Sequence, residues 1–281
     1  MTLNYDCHCE IARHLTDLDY INFCQILDIK IKINNLTVDF VNSNIIKLYK
    51  LDFDLHTISK HLNWEYISKN QILPEKFIKD FKDNVVWYRI SYHQHLTEEF
   101  IREFKDDVDW YCVSYKQKLS EGFISEFNER VDWELISERQ TLSEKFIREF
   151  KDKVYWYSIS EKQELSERFI GEFKDYVNWY HISKYKKLSE KFIREFRNYV
   201  DWKSISRYQE LSQEFIIEFG DSVDWREIFK YMKWSERLSE FKIIYVRTML
   251  MKVKEWIRDT GENFERVMLL IGVNDSLMNS I

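Results

Sequence analysis

By residue type, Cys7, His8, Cys9, His14 and Cys24 are the best candidates in this chain to hold a metal ion. Their spacing argues against it. Paired ligands that wrap one tetrahedral ion ordinarily have about two residues between them, whereas Cys7, His8 and Cys9 are contiguous. These side chains are therefore expected to be buried or half-buried groups, with neither a metal nor a cofactor. His56, His61, His93, His95 and His181 are scattered, and no glycine-rich phosphate loop or nucleophile elbow occurs. No catalytic residue is expected, and the chain does not read as an enzyme.

Recognition is the chemistry left. Tyr88 and Tyr92, Tyr111 and Tyr115, Tyr157, Tyr180 and Tyr185, and Tyr208 recur at one, five or six positions after a tryptophan. Tyrosine combines a large contact area with a hydroxyl at low entropic cost, which suits protein recognition. These eight residues are the candidate partner-binding face; the alternative is that some of them only seal seams.

The tyrosines are placed by a ladder of tryptophans. Trp64, Trp87, Trp110, Trp133, Trp156, Trp179, Trp202 and Trp225 each follow the last by 23 residues, without an insertion. A period of this size is the signature of stacked repeats. In the unit from Leu142 to Glu164, Ser143 is placed as an N-cap, and Phe146, Ile147, Phe150 and Val154 share one face of a first helix of about nine residues. Glu144 and Arg148 form an i,i+4 pair on the other face. A second helix starts at the tryptophan, with Asn or Asp before it in most units. Tryptophan, isoleucine, serine and glutamine at offsets 0, 3, 4 and 7 all fall inward, so the tryptophans read as a structural spine. The recurring serine and glutamine are expected to bond neighbouring helix ends, because buried polar groups need partners. One such hairpin cannot offset its ordering entropy alone, so neighbours must stack. The expected fold is all-α, an α-solenoid of short helical hairpins with helical caps. Residues 1–50 form an N-terminal segment, 51–234 the repeats, and 235–281 a C-terminal helical cap.

Composition agrees. Aromatic residues make up 17%, with 5 Gly, 1 Pro and a single alanine, Ala12, which disfavours strand-and-turn folds. The net charge is −6, from 42 basic and 48 acidic residues in close alternation, which gives no basic stripe for nucleic acid. No stretch reaches the roughly 18 apolar residues that span a bilayer, and no membrane partner is expected. The start has no secretory pattern, and four cysteines without framework spacing suit a reducing compartment, cytoplasm or nucleus. The methionine-rich end could pair copies, so the expected state is a monomer or a weak dimer.

Before the repeats, Ile11, Leu15, Leu18, Ile21 and Phe23 suggest two short amphipathic helices, the second capped by Asp17 or Asp19. Residues 29–41 alternate enough for a strand, with irregular structure the alternative. Leu3, Glu10, Ile11, Leu15, Asp19 and Phe23 follow a spacing that resembles the F-box. The resemblance implies docking to a Skp-type adaptor of cullin-based ubiquitin ligases, with the repeats as substrate receptor; the alternative is a plain cap. The repeated text from 64 to about 230 also resembles repeat proteins of giant, mimivirus-like DNA viruses. That likeness implies a viral protein acting in a host cell and supplies no biochemical activity.

Overall fold

A computed structural model describes residues 10–11, 14–51, 53–224 and 226–228. Trp225, Leu3 and the expected cap over 235–281 lie outside the described residues. The fold is all-α, an α-solenoid of short helical hairpins, and no strand occurs among the described residues. Two compact units divide the chain, Met1–Leu142 and Ser143–Ile281. Each is built from the same hairpin.

The 23-residue period becomes a seven-residue helix that starts at tryptophan (the Trp helix) and a six-residue helix that carries the phenylalanine (the Phe helix). In the first unit the Trp helices are Trp64–Asn70, Trp87–His93, Trp110–Lys116 and Trp133–Arg139. The Phe helices between them are Glu75–Asp80, Glu98–Glu103 and Glu121–Glu126. The second unit has Trp156–Lys162, Trp179–Tyr185 and Trp202–Tyr208, with Glu144–Glu149, Glu167–Glu172, Glu190–Glu195 and Gln213–Glu218. Within each unit consecutive Trp helices pack side by side.

Caps set these boundaries. Asn63, Asp109, Asp132, Asn178 and Asp201 accept from the backbone N–H three residues on, at 2.8 to 3.0 Å. Thr97, Ser120, Ser143, Ser166, Ser189 and Ser212 do the same for the Phe helices at 3.2 Å. The Phe helix is shorter than the expected nine residues. It stops at the second phenylalanine, for example Phe150 with φ −108° and ψ 29°, and a turn then brings Val154 back to the Phe150 carbonyl.

Helices this short leave half their backbone groups without an internal partner. Side chains of the next repeat supply them. Gln94 Nε2 donates to the carbonyls of Ser68 and Gln71, while its Oε1 accepts from Leu73 N–H at 2.9 Å. Gln117 repeats all three contacts with Ser91, Gln94 and Leu96, and Gln209 with Ser183, Lys186 and Leu188. The serine four residues after tryptophan works in the opposite direction. Ser91 and Ser114 accept from Asp109 and Asp132 N–H at 2.9 Å, and Ser183 and Ser206 accept from Asp201 and Asp224. A third ladder runs along the Phe helices. Glu75 and Glu98 accept from Thr97 and Ser120 N–H, and Glu144 accepts from Ser166. Arg102 and Arg148 reach Glu126 and Glu172 of the next Phe helix as well as their own Glu98 and Glu144.

The core is built from Ile67, Ile90 and Ile136 of the Trp helices and Phe77, Phe100 and Phe123 of the Phe helices, all buried. The tryptophans are less deep than the expected inward face. Each described one is half-buried. Within each unit the ring of a tryptophan lies on the two phenylalanines of the following Phe helix, as Trp87 does on Phe100 and Phe104 at 6.2 and 5.0 Å. Its Nε1–H donates to a carbonyl five residues earlier, from Trp110 to Lys105 at 2.9 Å and from Trp202 to Arg197 at 3.0 Å. Tryptophan thus ties the turn before it to the helix after it, and works as the expected spine from the rim of the core.

The N-terminal segment joins the array without a linker. Helix Val38–Lys50 packs on Trp64–Asn70, and Asn42 Oδ1 accepts from Asn63 N–H at 3.0 Å, the task serine performs elsewhere. Tyr49 packs edge-on against Phe77 at 5.0 Å and donates to Asp80, and burial with that carboxylate pushes its pKa up to about 12. The alternating stretch from 29 to 41 is not a strand. Tyr20, buried, accepts from Lys32 N–H and Asn35 Nδ2, both at 3.1 Å, and Ile33–Asn35 forms a 3-10 turn there. Helix Asp17–Ile26 is capped by Thr16, which accepts from Asp19 N–H, rather than by an aspartate. Asp17 instead holds Thr37, the cap of the next helix.

One joint differs. Lys186 occupies the glutamine position and is buried, donating to the carbonyls of Glu161 and Gln163. Lysine has no acceptor to offer Leu165 N–H, and burial holds its pKa below the usual lysine value. Between the lowered folded pKa and the ordinary unfolded one, the unfolded chain binds more protons, so stability rises with pH across that alkaline window. Lys186→Gln is expected to raise stability by roughly 1–2 kcal/mol and to remove that alkaline rise. Gln117→Ala, which strips three contacts, should cost roughly 2–3 kcal/mol. Urea denaturation of both variants against pH checks both; equal midpoints would refute the ladder.

Candidate protein-binding surface

The outward face of the Trp helices starts one residue after the tryptophan, where Asn or Asp has capped the helix and the chain has turned away from the core. In the first unit Tyr88 and Tyr111 are exposed there, Tyr111 by 59%. Tyr92 and Tyr115, one turn on, are half-buried in the groove between helices. The four rings form one cluster. Tyr88 stacks towards Tyr92 at 6.4 Å, Tyr92 on Tyr115 at 6.0 Å, and Tyr111 on Tyr115 at 6.5 Å. Tyr92 and Tyr115 therefore do both jobs weighed from the sequence, closing a seam and fronting the surface.

Cations cover these rings. Lys116 Nζ lies 4.5 Å from the Tyr92 centroid and 5.0 Å from that of Tyr115, with Arg139 over Tyr115 at 4.5 Å and Arg89 over Tyr88 at 5.4 Å. Cation–π contacts of this kind are worth about 0.5–1 kcal/mol at exposed sites. Arg89 also pairs with Glu65, and Arg139 with Glu138. The local field is positive enough to act on His93, whose pKa is lowered by desolvation first and then by Arg89, Lys69 and Lys116.

The second unit carries a related cluster. Tyr157, Tyr180, Tyr185 and Tyr208 are all exposed by 44% to 50%. Lys184 lies near the rings of Tyr180, Tyr185 and Tyr208, at 5.5, 4.6 and 5.8 Å, and Arg207 lies over Tyr208. His181, buried, sits beneath them with its ring 4.2 Å from Tyr157 and its Nδ1 3.9 Å from Glu161 Oε2. Nδ1 has no hydrogen-bond partner.

The structure thus gathers Tyr88, Tyr92, Tyr111 and Tyr115 in one unit, and Tyr157, Tyr180, Tyr185 and Tyr208 in the other. In the first unit, sequence reasoning missed the cations that organise the cluster. Lys116 and Arg139 stand six residues after tryptophan, where His93 and Lys162 also stand, so the signal was a basic column beside the tyrosine columns. It was masked by the mixed charge of the chain as a whole.

At the N-terminus, Ile11, Leu15 and Phe23 are half-buried, and Glu10 and Asp19 are exposed. Glu10 pairs with His14 at 3.6 Å, and Asp19 accepts from the Thr16 hydroxyl at 2.6 Å. The helix turns Tyr20 and Cys24 inward and leaves Leu18 and Ile26 exposed by 64% and 81%, so its buried face is not the expected one. Cys7, His8 and Cys9 lie outside the described residues; among those described, no three His, Cys, Asp or Glu side chains are grouped to hold a metal ion. No helix among the described residues is long and apolar enough to cross a membrane.

No protein-family model, curated protein or solved structure matches the chain.

The two roles assigned to aromatics separate by stability. Tyr111→Ala should shift thermal unfolding by no more than a change of about 0.5 kcal/mol, whereas Trp110→Ala should cost about 3–5 kcal/mol. Calorimetry checks this, and a large loss with Tyr111→Ala would make that tyrosine a core residue. Cys112 is buried, and burial together with Asp109 pushes its thiol up to about 12. Cys112 is therefore expected to resist a thiol reagent at pH 8 until the chain unfolds, as read by mass spectrometry.

Proposed function

We propose that this chain is a non-catalytic protein-binding module whose contact surface is the tyrosine and cation face of the Trp helices. The observation that carries this reading is the pair of tyrosine clusters, with all four rings exposed in the second unit and Tyr88 and Tyr111 exposed in the first, set on a frame whose helix ends are tied by side chains of the next repeat. Rigid aromatic surface on short, cross-tied helices loses little entropy on binding. Polar residues of the inner face are used by the ladders and are not free for a ligand. From the resemblance of its repeats, it would act in the cytoplasm or nucleus of a host cell, as a monomer or weak dimer.

A second reading is favoured by one observation. Leu18, Ile26 and Leu27 stay exposed beside the half-buried Ile11 and Leu15, an apolar surface on the segment that resembles an F-box. In that reading the N-terminal helices recruit a Skp-type adaptor, and the repeats hold the substrate for a cullin-based ligase. Without an adaptor the chain is a plain interaction scaffold.

Affinity purification from host lysate distinguishes the readings. Tyr88→Ala with Tyr111→Ala is expected to lower capture of partner proteins at least about tenfold, with folding unchanged. Ile11→Ala with Leu15→Ala is expected to remove adaptor and cullin alone. Undiminished capture by the tyrosine variant would defeat the first reading, and absence of adaptor from the wild-type eluate the second.

A further inference from the structure

A groove between the C-terminal ends of neighbouring Trp helices recurs in both units. In the first, Lys116 and Lys118 share a groove of about 320 Å³ with Arg139, Gln117 and Leu119. In the second, the volume is again about 320 Å³, and Lys187 takes the register of Lys118, beside Lys184 and between Tyr185 and Tyr208. Glu210 is the one carboxylate that lines either groove. Among the described residues Lys116, Lys118, Lys184 and Lys187 take part in no ion pair, and Arg139 meets only its sequence neighbour Glu138.

The way the rings are used decides which ligand fits. Lys116 covers Tyr92 and Tyr115, Arg139 covers Tyr115, and Tyr92 and Tyr115 stack on each other. Single-stranded nucleic acid needs open aromatic faces on which bases stack. Here the faces are occupied, and the outward groups are phenol O–H, ammonium and guanidinium, all of which can donate. Such a surface matches carboxylate acceptors, which need donors rather than open rings.

We propose that each groove receives a carboxylate side chain of an acidic, extended partner peptide. The lysines supply charge, and the tyrosine hydroxyls supply directed hydrogen bonds. This rests on the protein-binding reading and names the partner's chemistry. Lys162 and Glu161 lie outside these grooves and are not part of it.

The test uses the full chain and a dye-labelled ten-residue oligoglutamate, followed by fluorescence anisotropy. Saturable binding is expected, weakened at least about tenfold as salt rises from about 0.05 to 0.5 M. Lys116→Gln with Arg139→Gln, and Lys184→Gln with Lys187→Gln, should each weaken it at least about threefold, and all four together at least about tenfold, while circular dichroism keeps the helical spectrum and a cooperative melt lowered only by the lost ring contacts. A ten-nucleotide oligothymidine of the same label should bind at least about tenfold more weakly. The proposal is overturned by unsaturable oligoglutamate binding, by equal or tighter binding of oligothymidine, or by wild-type affinity in the four-site variant. If oligoglutamate does not bind while the tyrosine variant still loses its captured partner, the acidic chemistry is overturned and the protein-binding reading stands.

Discussion

One buried carboxamide sets the repeat. Gln117 donates to the Ser91 and Gln94 carbonyls and accepts from Leu96, so a single side chain serves the end of one helix and the approach to the next. Helices of six and seven residues are below the length at which a helix holds itself in water. Their ends carry more unpaired backbone groups than their middles can offset, and these ends are buried. Glutamine closes the C-terminal end, serine closes the next N-terminal end, and each does so across the seam to a neighbouring hairpin. The same residues that satisfy the backbone therefore make stacking obligatory. The unbroken period of 23 follows, because one inserted residue would carry the carboxamide away from all three partners at once.

This constraint separates frame from surface. Isoleucine, serine and the first phenylalanine are buried in most repeats, and serine and glutamine are bonded across the seam, which leaves little room for change except where Lys186 stands. Tryptophan stands at the rim, bonded to the turn behind it and packed on the phenylalanines ahead. Of the residues one, five, six and eight positions after it, those at five also line the seam, as Tyr92 and Tyr115 do, and the others carry no such duty. There the repeats diverge, into tyrosine clusters covered by lysine and arginine in both units, and a difference between repeats is the form in which an array can carry specificity.

Much of the frame was legible in the sequence, because it repeats. The period, the caps at Ser143 and Asp132, the Glu144–Arg148 pair and the ladder roles of serine and glutamine all follow from local chemistry at fixed spacing. What was not legible depends on three-dimensional neighbours. Val154 falls on a helical face by counting, but Phe150 leaves helical geometry first and the helix stops there. Residues 29–41 alternate like a strand, yet Tyr20 gathers their backbone into a turn. Leu18 looks like a core residue beside Tyr20 and Cys24, but the latter two are the pair that faces inward. The cations over the tyrosines were hidden by average charge, since a column of basic residues is invisible in a net sum.

The seam that breaks the rule offers the sharpest comparison. Leu96 and Leu165 are both half-buried at the same position of the repeat. Leu96 N–H donates to Gln117 Oε1 at 3.1 Å, whereas Leu165 faces Lys186, which has no oxygen to accept. Amide hydrogen exchange read residue by residue should find Leu96 opening only with its hairpin, and Leu165 exchanging at least about tenfold faster. Equal protection at the two amides would contradict the claim that the glutamine ladder, rather than apolar packing alone, holds one hairpin to the next.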